Sequence, residues 1–425
     1  MSAGGALSGS IRYVLWDANQ LPVYKSCADV FMSANPGTHV NVEQVGWDDY
    51  WNSLTTGFVS GDVPDVFTDH LNKYPEYANA GQIVPLNDRI AQDGVSTDIY
   101  FEGLADLWVA PDGKRYGLPK DWDTIAFAYN AEMAEAAGVD IASLGSLTWN
   151  PQDGGTFEKL IAHLSIDKDG VRGDEPGFDP KNVQTFGLGI NNSGGAVGQL
   201  EYSFWPLSTG WTYTDKPVWG TRYNYDDQRY IDFFKWWRRM IEKGYAPTYE
   251  EVSSGVGYTT QFGSGRYAVI SAGSWMIGDV LNSGAPKVGW FPTPIGPSGK
   301  RASIFNGLAD SIPTAAKNPE LAWAWLKFMA SPDCQNLVGN SAVVFPAIKE
   351  AADRARETRA AQGVDVSAFT VHVDEGTTSL FPITDHASDI AAIMQPVTDA
   401  ILLGQADPET ALRQANAEVN ALFGQ

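Results

Sequence analysis

Short apolar runs separated by turn-forming residues open the chain. Residues 11–16 predict a strand and residues 21–33 predict a helix. A Pro-Gly turn at residues 35–37 leads to a second apolar run at residues 40–45, which predicts another strand. This strand-helix-strand order is typical of an α/β sheet.

The pattern continues with a third strand. Helical spacing over residues 50–60 is followed by a turn and by a short apolar strand at Val66 and Phe67. Alternation of strands and helices favours a parallel sheet. Ligands bind at the carboxyl ends of the strands in such sheets.

A second unit is predicted from the middle of the chain. Residues 125–130 form an extended apolar segment that precedes an Ala- and Glu-rich helix, and we interpret it as a crossing between two lobes. The helix predicted over residues 231–243 carries large apolar side chains partly at helical spacing, which favours a core role. These side chains are Phe233, Phe234, Trp236, Trp237 and Met240.

The C-terminal part is predicted to be mainly helical. Asn318, Pro319 and Glu320 open an amphipathic helix. From about residue 347 the chain is Ala-rich and helical, with an irregular loop expected over residues 370–385 and a closing helix over residues 408–423.

Length and charge narrow the class of protein. With 425 residues and 44% hydrophobic content, the chain is long enough for two cores. Its 29 basic and 51 acidic residues give a formal net charge of -22, which repels phosphate backbones and makes nucleic acid an unfavourable partner. No run approaches the roughly 18 apolar residues that cross a bilayer.

Two local features bear on the compartment. Residues 2–6 are Gly-, Ser- and Ala-rich, as expected of a tether left after an export signal is removed, with Met1 as an added start residue. Cys27 and Cys334 each lack a nearby Cys or His, which excludes a zinc site and a CxxC redox motif. They either form one long-range disulfide or are two small buried side chains.

Several short motifs, in one order along the chain, resemble the family of extracellular solute-binding proteins that includes maltose-binding and related sugar receptors. The resemblance covers nearly the whole chain. Its motifs are Trp16-Asp17, residues 64–69, residues 117–124 leading to Tyr129-Asn130, residues 273–276, residues 305–308 and residues 318–325.

The resemblance implies an α/β, two-lobed periplasmic-binding-protein-like fold of type II, with a ligand cleft between lobes joined by hinge strands. The implied N-terminal lobe comprises residues 1–123 and 303–346. The implied C-terminal lobe comprises residues 124–302 and 347–425. Lobe closure on a ligand would signal to a transporter.

The resemblance also implies the function. The expected protein is an extracytoplasmic receptor that captures a mono-, di- or oligosaccharide and delivers it to the membrane permease subunits of an ABC importer. It would be exported and lipid-anchored to the outer face of the cell membrane. It would be monomeric, free of cofactors and metal, and without enzymatic activity.

A pyranose presents hydroxyl groups around its edge and an apolar C-H face, so its receptor needs polar side chains beside an aromatic platform. The chain has 15 Trp. Strand ends and the first crossing supply these predicted ligand contacts: Trp16, Asp17, Asn19, Trp47, Asp69, His70, Lys120 and Asp123. The second lobe and the return segment supply Tyr202, Trp205, Trp211, Trp275, Asn306 and Gly307.

Some of these residues could instead have a purely structural role. Trp16 could pack under a loop, Asp17 could cap the following helix, and Lys120 could belong to a salt bridge. Trp275, which follows a Gly-Ser turn after a predicted strand, is the strongest platform candidate. At Gly307 the missing side chain would let backbone amides approach a ligand.

Three other functions compete. Residues 167–175 faintly resemble a calcium loop, but they lack its sixth-position Gly and twelfth-position Glu. A glycoside hydrolase would need two facing carboxylates, for which Asp69 and Asp123 are the candidates, yet no catalytic motif flanks them. Within the binding class, a polyol or an anionic sugar is the alternative ligand, with Lys120 supplying the charge.

Overall fold

The structure is a computed structural model that describes residues 7–424, so the predicted tether at residues 2–6 lies outside the described residues. Two compact units divide the chain. Unit 1 comprises the described residues up to Trp122 together with Asn306–Val364. Unit 2 comprises Asp123–Phe305 and the described residues from Asp365 onward.

Unit 1 is an α/β unit. Its strands are β1 (Gly9–Leu15), β2 (Thr38–Gln44), β3 (Val66–Asp69), β4 (Leu118–Asp123), β10 (Ser303–Ser311) and β11 (Phe345–Pro346), of which β4 and β10 each extend past a unit boundary. Its α-helices are α1 (Leu21–Ala34), α2 (Trp47–Ser60), α3 (Tyr74–Asn79), α4 (Asn87–Asp93), α12 (Pro319–Met329), α13 (Pro332–Ser341) and α14 (Lys349–Ala361).

The sheet of unit 1 has the strand order β11-β4-β10-β3-β1-β2. Strand β1 pairs in parallel with both β2 and β3, which confirms the parallel opening predicted from the sequence. Strand β10 runs antiparallel to β3, with Asp310 directly opposite Thr68. The carboxyl ends of β1, β2 and β3 therefore lie at one edge.

Helix α1 is fastened to the rest of unit 1 by packing and by a covalent bond. The aromatic ring of Trp325 in α12 packs edge-on against Tyr13 at 5.8 Å and against Phe31 at 5.4 Å. Cys27 in α1 and Cys334 in α13 form a disulfide, the first of the two alternatives left open by the sequence. Structural disulfides persist in oxidising compartments, which agrees with an exported protein.

A buried ion pair lies inside the unit-1 sheet. The Lys120 ammonium lies 3.5 Å from the Asp310 carboxylate, and both side chains are almost fully buried. Lys120 also donates to the Tyr13 hydroxyl at 2.8 Å and the Thr68 hydroxyl at 3.0 Å. The Tyr24 ring of α1 covers the ammonium at 4.0 Å. The four polar groups come from the adjacent strands β4, β10, β3 and β1.

Unit 2 contains the remaining elements. Its strands are β5 (Ile125–Asn130), β6 (Ile166–Asp167), β7 (Val183–Leu188), β8 (Tyr267–Gly273), β9 (Val288–Pro292) and β12 (Thr378–Leu380). Its α-helices are α5 (Ala131–Ala136), α6 (Gly155–Leu164), α7 (Phe204–Leu207), α8 (Gln228–Glu242), α9 (Tyr249–Val252), α10 (Tyr258–Gly263), α11 (Ile277–Leu281), α15 (Ser367–Asp374), α16 (Ala387–Leu402) and α17 (Pro408–Ala421).

The main sheet of unit 2 has the order β6-β7-β8-β5-β9. Strands β7 and β8 are parallel, whereas β5 is antiparallel to β8. The carboxyl ends of β7 and β8 therefore meet the amino end of β5 at one edge. Helix α8 buries Phe233, Phe234, Trp236 and Trp237 together with Met240, which confirms the predicted core role of these side chains.

Predictions for the C-terminal part are partly confirmed. Helix α12 begins as expected, with the Asn318 side chain accepting a hydrogen bond from the Leu321 backbone N–H at 3.2 Å. The irregular loop predicted over residues 370–385 is wrong, because α15 and β12 occupy part of this segment. Tertiary contacts explain the helix, since the His372 ring bonds the Ile125 carbonyl at 3.0 Å.

The structure places residues 347–364 differently from the implied lobe division, which assigned them to the C-terminal lobe. They pack in unit 1, where α14 lies against α13. The approach is close, because a Cβ atom added at Gly339 would come within 2.3 Å of the Ala351 carbonyl oxygen. The lobes as functional bodies stay a prediction.

The Lys120→Met variant tests the buried ion pair. Removal of one partner leaves an uncompensated charge, which typically costs about 3 to 5 kcal/mol of unfolding free energy. Burial raises the pKa of Asp310 in the wild type, whereas the nearby Lys120 charge lowers it. In Lys120→Met, protonation of Asp310 at lower pH removes the unpaired charge, so the loss of unfolding free energy should be smaller at pH 5 than at pH 8. Urea unfolding at pH 5 and pH 8 measures both effects.

Lys25→Met is the matched control, because Lys25 is exposed on α1. Its unfolding free energy should stay within about 0.5 kcal/mol of the wild type. A cost below about 1 kcal/mol for Lys120→Met would contradict a structural role of the pair.

Candidate functional site

Aromatic and polar side chains follow the three parallel strands of unit 1. Trp16 comes directly after β1, Trp47 begins α2 three residues after β2, and His70 follows β3. Because these strands are parallel, their carboxyl ends bring the three side chains together. Three of the predicted contact residues thus share one edge of the sheet.

The rings form an aromatic cluster at this edge. Trp16 and Trp47 are nearly perpendicular with centroids 5.1 Å apart, and Trp47 lies 5.9 Å from the His70 ring. Trp51 contacts Trp47 at 5.3 Å. Trp47 is 44% exposed, unusual for so large an apolar side chain, while Trp16 is half-buried. We call Trp16, Trp47, Tyr50, Trp51 and His70 the unit-1 aromatic cluster.

Tyr50 and Trp51 were missed in the sequence, although a signal was present. Trp47, Tyr50 and Trp51 have the i, i+3, i+4 spacing that places side chains on one face of a helix. The Tyr50 hydroxyl donates to the Thr68 carbonyl at 2.5 Å and lies 3.3 Å from the Val14 carbonyl. Tyr50 therefore fixes the cluster to two strands of the sheet.

Asp69 is fully buried beside the cluster. Its carboxylate accepts a hydrogen bond from the His70 backbone N–H at 2.8 Å. Burial raises the pKa of Asp69 to about 8, against the lowering effects of His70 and Ser311. Asp69 therefore supports the turn at His70.

His70 is neutral at physiological pH. Burial lowers the pKa of its imidazole to about 4. Its Nδ1 accepts a hydrogen bond from the Asn72 backbone N–H at 3.3 Å, and Nε2 lies 3.4 Å from the Asn306 side-chain amide. The structure thus brings the predicted contacts His70 and Asn306 together.

Asp17 and Asn19 lie in the turn between β1 and α1. The Asp17 carboxylate accepts from the Asn19 backbone N–H at 2.8 Å and from the Gln20 side-chain amide at 2.9 Å. Asp17 therefore organises the turn without capping the helix directly, because the helix cap is Gln20. Asn19 is exposed beside it.

Lys120 and Gly307 have structural roles. The Lys120 ammonium is only 1% exposed and is engaged by Asp310, Tyr13 and Thr68, so we do not carry it into the proposed site. A Cβ atom at Gly307 would come within 2.2 Å of a Leu104 methyl carbon. Packing against Leu104 therefore requires a glycine here, and ligand approach at Gly307 stays a prediction.

A second polar edge lies in unit 2. Asp123 precedes β5, and its carboxylate accepts a hydrogen bond from the Gln199 side-chain amide at 2.6 Å. The Ser274 backbone N–H donates to the Thr124 carbonyl at 3.0 Å, which holds the end of β8 against the start of β5. Gln199 was not predicted, because no local pattern marks it.

Trp275 follows β8 at the same edge and is half-buried. Its ring lies against Gly273, where an added Cβ atom would come within 2.1 Å of the ring. Gly273 is therefore required for this ring position. Trp275 keeps its place as a platform candidate.

Tyr202, Trp205 and Trp211 belong to the core of unit 2, with exposures of 0%, 3% and 1%. The Trp211 ring stacks on Tyr230 at 4.6 Å and its indole N–H donates to the Asn224 carbonyl at 2.8 Å. Packing accounts for Tyr202 and Trp211, so we do not carry them into the proposed site, whereas Trp205 also lines the recess described next.

A narrow recess opens near the carboxyl ends of β7 and β8 in unit 2. Its polar lining consists of Asn191, Glu201 and Ser271, none of which was predicted. Aromatic side chains supply most of the rest of its wall: Phe127, Phe204, Trp205 and Trp237. We call this feature the Glu201 recess.

Within residues 7–424, no group of three or more His, Cys, Asp or Glu side chains is arranged to hold a metal ion. In the faint calcium motif, the Asp167 carboxylate accepts backbone N–H groups from Asp169, Val171 and Asp179, each at 2.9 Å. This carboxylate stabilises a turn.

Comparison with known families decides the class. A profile described as bacterial extracellular solute-binding protein matches residues 26–363. The chain belongs to this family. Among the described residues, no helix combines the length and apolar character needed to cross a bilayer.

Relatives of this solute-binding protein span most of its length. It is 24% identical to a maltooligosaccharide ABC transporter solute-binding lipoprotein of Streptococcus pneumoniae, over 84% of this chain and 75% of that protein. An ABC substrate-binding protein of Listeria monocytogenes, solved with cycloalternan, has a TM-score of 0.82 at 19% identity, covering 98% of this chain and 100% of that one. The GacH receptor of Streptomyces glaucescens has a TM-score of 0.79 at 18% identity, covering 99% of both chains.

These structural neighbours confirm the predicted two-lobed α/β class of fold.

The Asp69→Asn variant tests the burial of this carboxyl group. The pKa of Asp69 is near its ordinary value in the unfolded chain and about 8 in the folded one, so between about pH 4 and pH 8 the folded state binds more protons. Wild-type stability should therefore fall with rising pH by about 1.4 kcal/mol per unit from this group. Asparagine removes that contribution and keeps the oxygen that accepts from His70.

Denaturant unfolding at pH 5, 6 and 7 should give a shallower fall with pH for Asp69→Asn than for the wild type. Asp29→Asn, at an exposed position of α1, is the control and should keep the wild-type slope. Identical slopes for Asp69→Asn and the wild type would show that the group is not protonated in the folded state.

Proposed function

We propose that this solute-binding protein is the carbohydrate receptor of an ABC importer. The observation that carries the proposal is the unit-1 aromatic cluster, in which Trp47 is 44% exposed and stands beside polar groups at three strand ends. Indole rings offer an apolar face for the C-H face of a pyranose. Neighbouring polar side chains bond its hydroxyl groups.

The proposed contacts in unit 1 are Trp16, Asp17, Asn19, Trp47 and His70, with Asn306 next to His70. Asp69 acts indirectly, through the His70 turn. In unit 2 the proposed contacts are Asp123, Gln199 and Trp275. Capture by lobe closure, which the family resemblance implies, stays a prediction.

The names of related proteins support a carbohydrate ligand. They refer to maltooligosaccharide for the Streptococcus pneumoniae lipoprotein and to cycloalternan for the Listeria monocytogenes structure. The GacH receptor was solved with acarbose. Mono-, di- and oligosaccharides are therefore the ligand class that we propose for this chain.

Two alternatives lose support. A glycoside hydrolase would need Asp69 as an acid or nucleophile, but its carboxyl group is fully buried and bonded to the His70 backbone. An anionic sugar would need a cation such as Lys120, whose ammonium is engaged by Asp310. We therefore propose binding without chemistry.

The family places the protein outside the cytoplasm, and the Cys27–Cys334 disulfide agrees with an oxidising compartment. We propose that the protein is lipid-anchored to the outer face of the cell membrane, as the Streptococcus pneumoniae relative is named a lipoprotein. Its proposed partners are the permease subunits of an importer. It acts as a monomer.

A thermal-shift screen over mono-, di- and oligosaccharides tests the carbohydrate class. A ligand that binds only the native state stabilises it by about 2.7 kcal/mol at a hundredfold excess over Kd, and this stabilisation raises the unfolding temperature. We expect at least one neutral carbohydrate to raise it, with no loss of carbohydrate on prolonged incubation. If no carbohydrate shifts the transition, the proposal fails; glycosidic turnover would replace it with an enzyme.

Trp47→Ala and Trp275→Ala test the proposed platforms. Loss of an aromatic platform should weaken binding of the best carbohydrate by about 1 to 3 kcal/mol, because the variant buries less of the sugar's apolar face. Isothermal titration calorimetry measures the change. Trp219→Ala is the control, since Trp219 is half-buried in a loop between Thr214 and Tyr223, outside the unit-2 sheet.

Wild-type affinity in Trp47→Ala would limit the unit-1 aromatic cluster to a packing role. An equal loss in Trp219→Ala would mean that the measured change is not specific to the platforms.

A further inference from the structure

The Glu201 recess has a distinct electrostatic character. Glu201 is half-buried, and its Oε1 accepts a hydrogen bond from the Asn191 side-chain amide at 3.2 Å. None of the described residues that line the recess is basic. The only charge in the lining is therefore that of the Glu201 carboxylate, set among aromatic rings.

The size of the recess limits what enters it. The free space has room for about one water-sized group, so the tip of a sugar substituent fits, such as a hydroxyl, an amino group or one oxygen of a carboxylate, and a whole ring does not. An ionised carboxylate only accepts hydrogen bonds. A group that enters must therefore donate a hydrogen bond to Glu201, as a hydroxyl or an ammonium does.

The loop that carries Glu201 is held rigidly. Three buried tyrosines donate their hydroxyl protons to successive carbonyls of this loop: Tyr202 to Gly195 at 2.8 Å, Tyr225 to Ala196 at 2.9 Å, and Tyr213 to Val197. The Gln199 side chain is bonded to Asp123 at 2.6 Å. These bonds hold residues 195–199, which come just before Glu201, in place.

Surrounding groups act in opposite directions on the charge of Glu201. Burial raises the pKa of its carboxyl group, whereas the hydrogen bonds from Asn191 and Asn192 lower it. A bound cation would favour the ionised form further, and a bound anion would oppose it. Aromatic faces also attract cations and not anions.

We propose that Glu201 is a specificity-determining residue, and that its recess accepts an uncharged or cationic hydrogen-bond-donating substituent of the sugar and rejects a carboxylate or phosphate. The inference rests on the proposed carbohydrate-binding function and deepens it. A carboxylate placed in the recess would meet a like charge at close range in a partly desolvated site.

The test compares sugars that differ in charge, in the wild type and in Glu201→Gln. The probes are glucose, glucosamine and glucuronate, together with maltotriose, deacetylated chitosan trimer and trigalacturonate. In the wild type we expect the best anionic probe to bind at least tenfold more weakly than the best neutral or amino probe. Glu201→Gln keeps an oxygen that accepts from Asn191 but removes the charge. The ratio of affinities between the best neutral or amino probe and the best anionic probe should therefore fall at least fivefold.

Two further variants separate the effect of the charge at residue 201 from effects on folding and on net charge. Glu201→Asp keeps the negative charge and should keep the discrimination against anions. Glu250→Gln makes the same change of net charge at an exposed position of α9 and should leave all affinity ratios unchanged. Calorimetric Kd values are measured for each, with thermal unfolding as a check on the native state.

The outcomes distinguish this inference from the proposed function. Tightest binding of an anionic probe by the wild type overturns the inference, and so does an unchanged gap in Glu201→Gln; in both cases carbohydrate binding stands. If the wild type binds none of these probes, the inference fails; the carbohydrate function fails only if the thermal-shift screen also finds no carbohydrate that binds.

Discussion

Lys120 and Asp310 lie inside the unit-1 sheet, where neither charge reaches solvent. Each charge is costly there without the other, and their hydroxyl partners Tyr13 and Thr68 satisfy the remaining hydrogen-bonding capacity. The four groups come from four neighbouring strands, so a shift of any one strand along its neighbour would break the network. This polar arrangement therefore fixes the register of β4, β10, β3 and β1.

The position of the candidate site follows from that register. Tyr50 donates to the carbonyl of Thr68, whose side chain belongs to the buried network, and thereby joins the unit-1 aromatic cluster to the sheet. His70 lies two residues beyond Thr68, with Asp69 bonded to its backbone. The polar core and the aromatic edge are thus consecutive parts of one strand and its continuation.

Much of the fold was predictable because it depends on local pattern. The βαβ opening, the aromatic core helix α8 and the start of α12 at Asn318 follow from apolar periodicity and capping chemistry. Helix α15 was not predictable, because its His372 ring bonds the carbonyl of Ile125, and these two residues are 247 positions apart in the sequence. Sequence pattern carries no information on such a contact.

The candidate site was predictable only where strand ends determine it. Trp16, Trp47 and His70 follow strands, and the structure brings them together. Every residue of β4 is buried, so the position of Lys120 on the strand does not distinguish a ligand contact from an internal ion pair, and the structure shows the ion pair. Tyr202 and Trp211 pose the same problem, since a large aromatic side chain suits a platform and a core equally well in sequence.

Contacts within the protein fix the ring positions of the aromatic cluster. Edge-to-face contacts between Trp16, Trp47 and Trp51 hold each ring against its neighbours, and Tyr50 fixes the group to the sheet. Ring positions that are already fixed lose little conformational entropy when a ligand is bound, which leaves more of the contact energy as affinity. An aromatic surface of this kind therefore gains affinity from its rigidity, whereas its choice of ligand must come from the polar groups beside it.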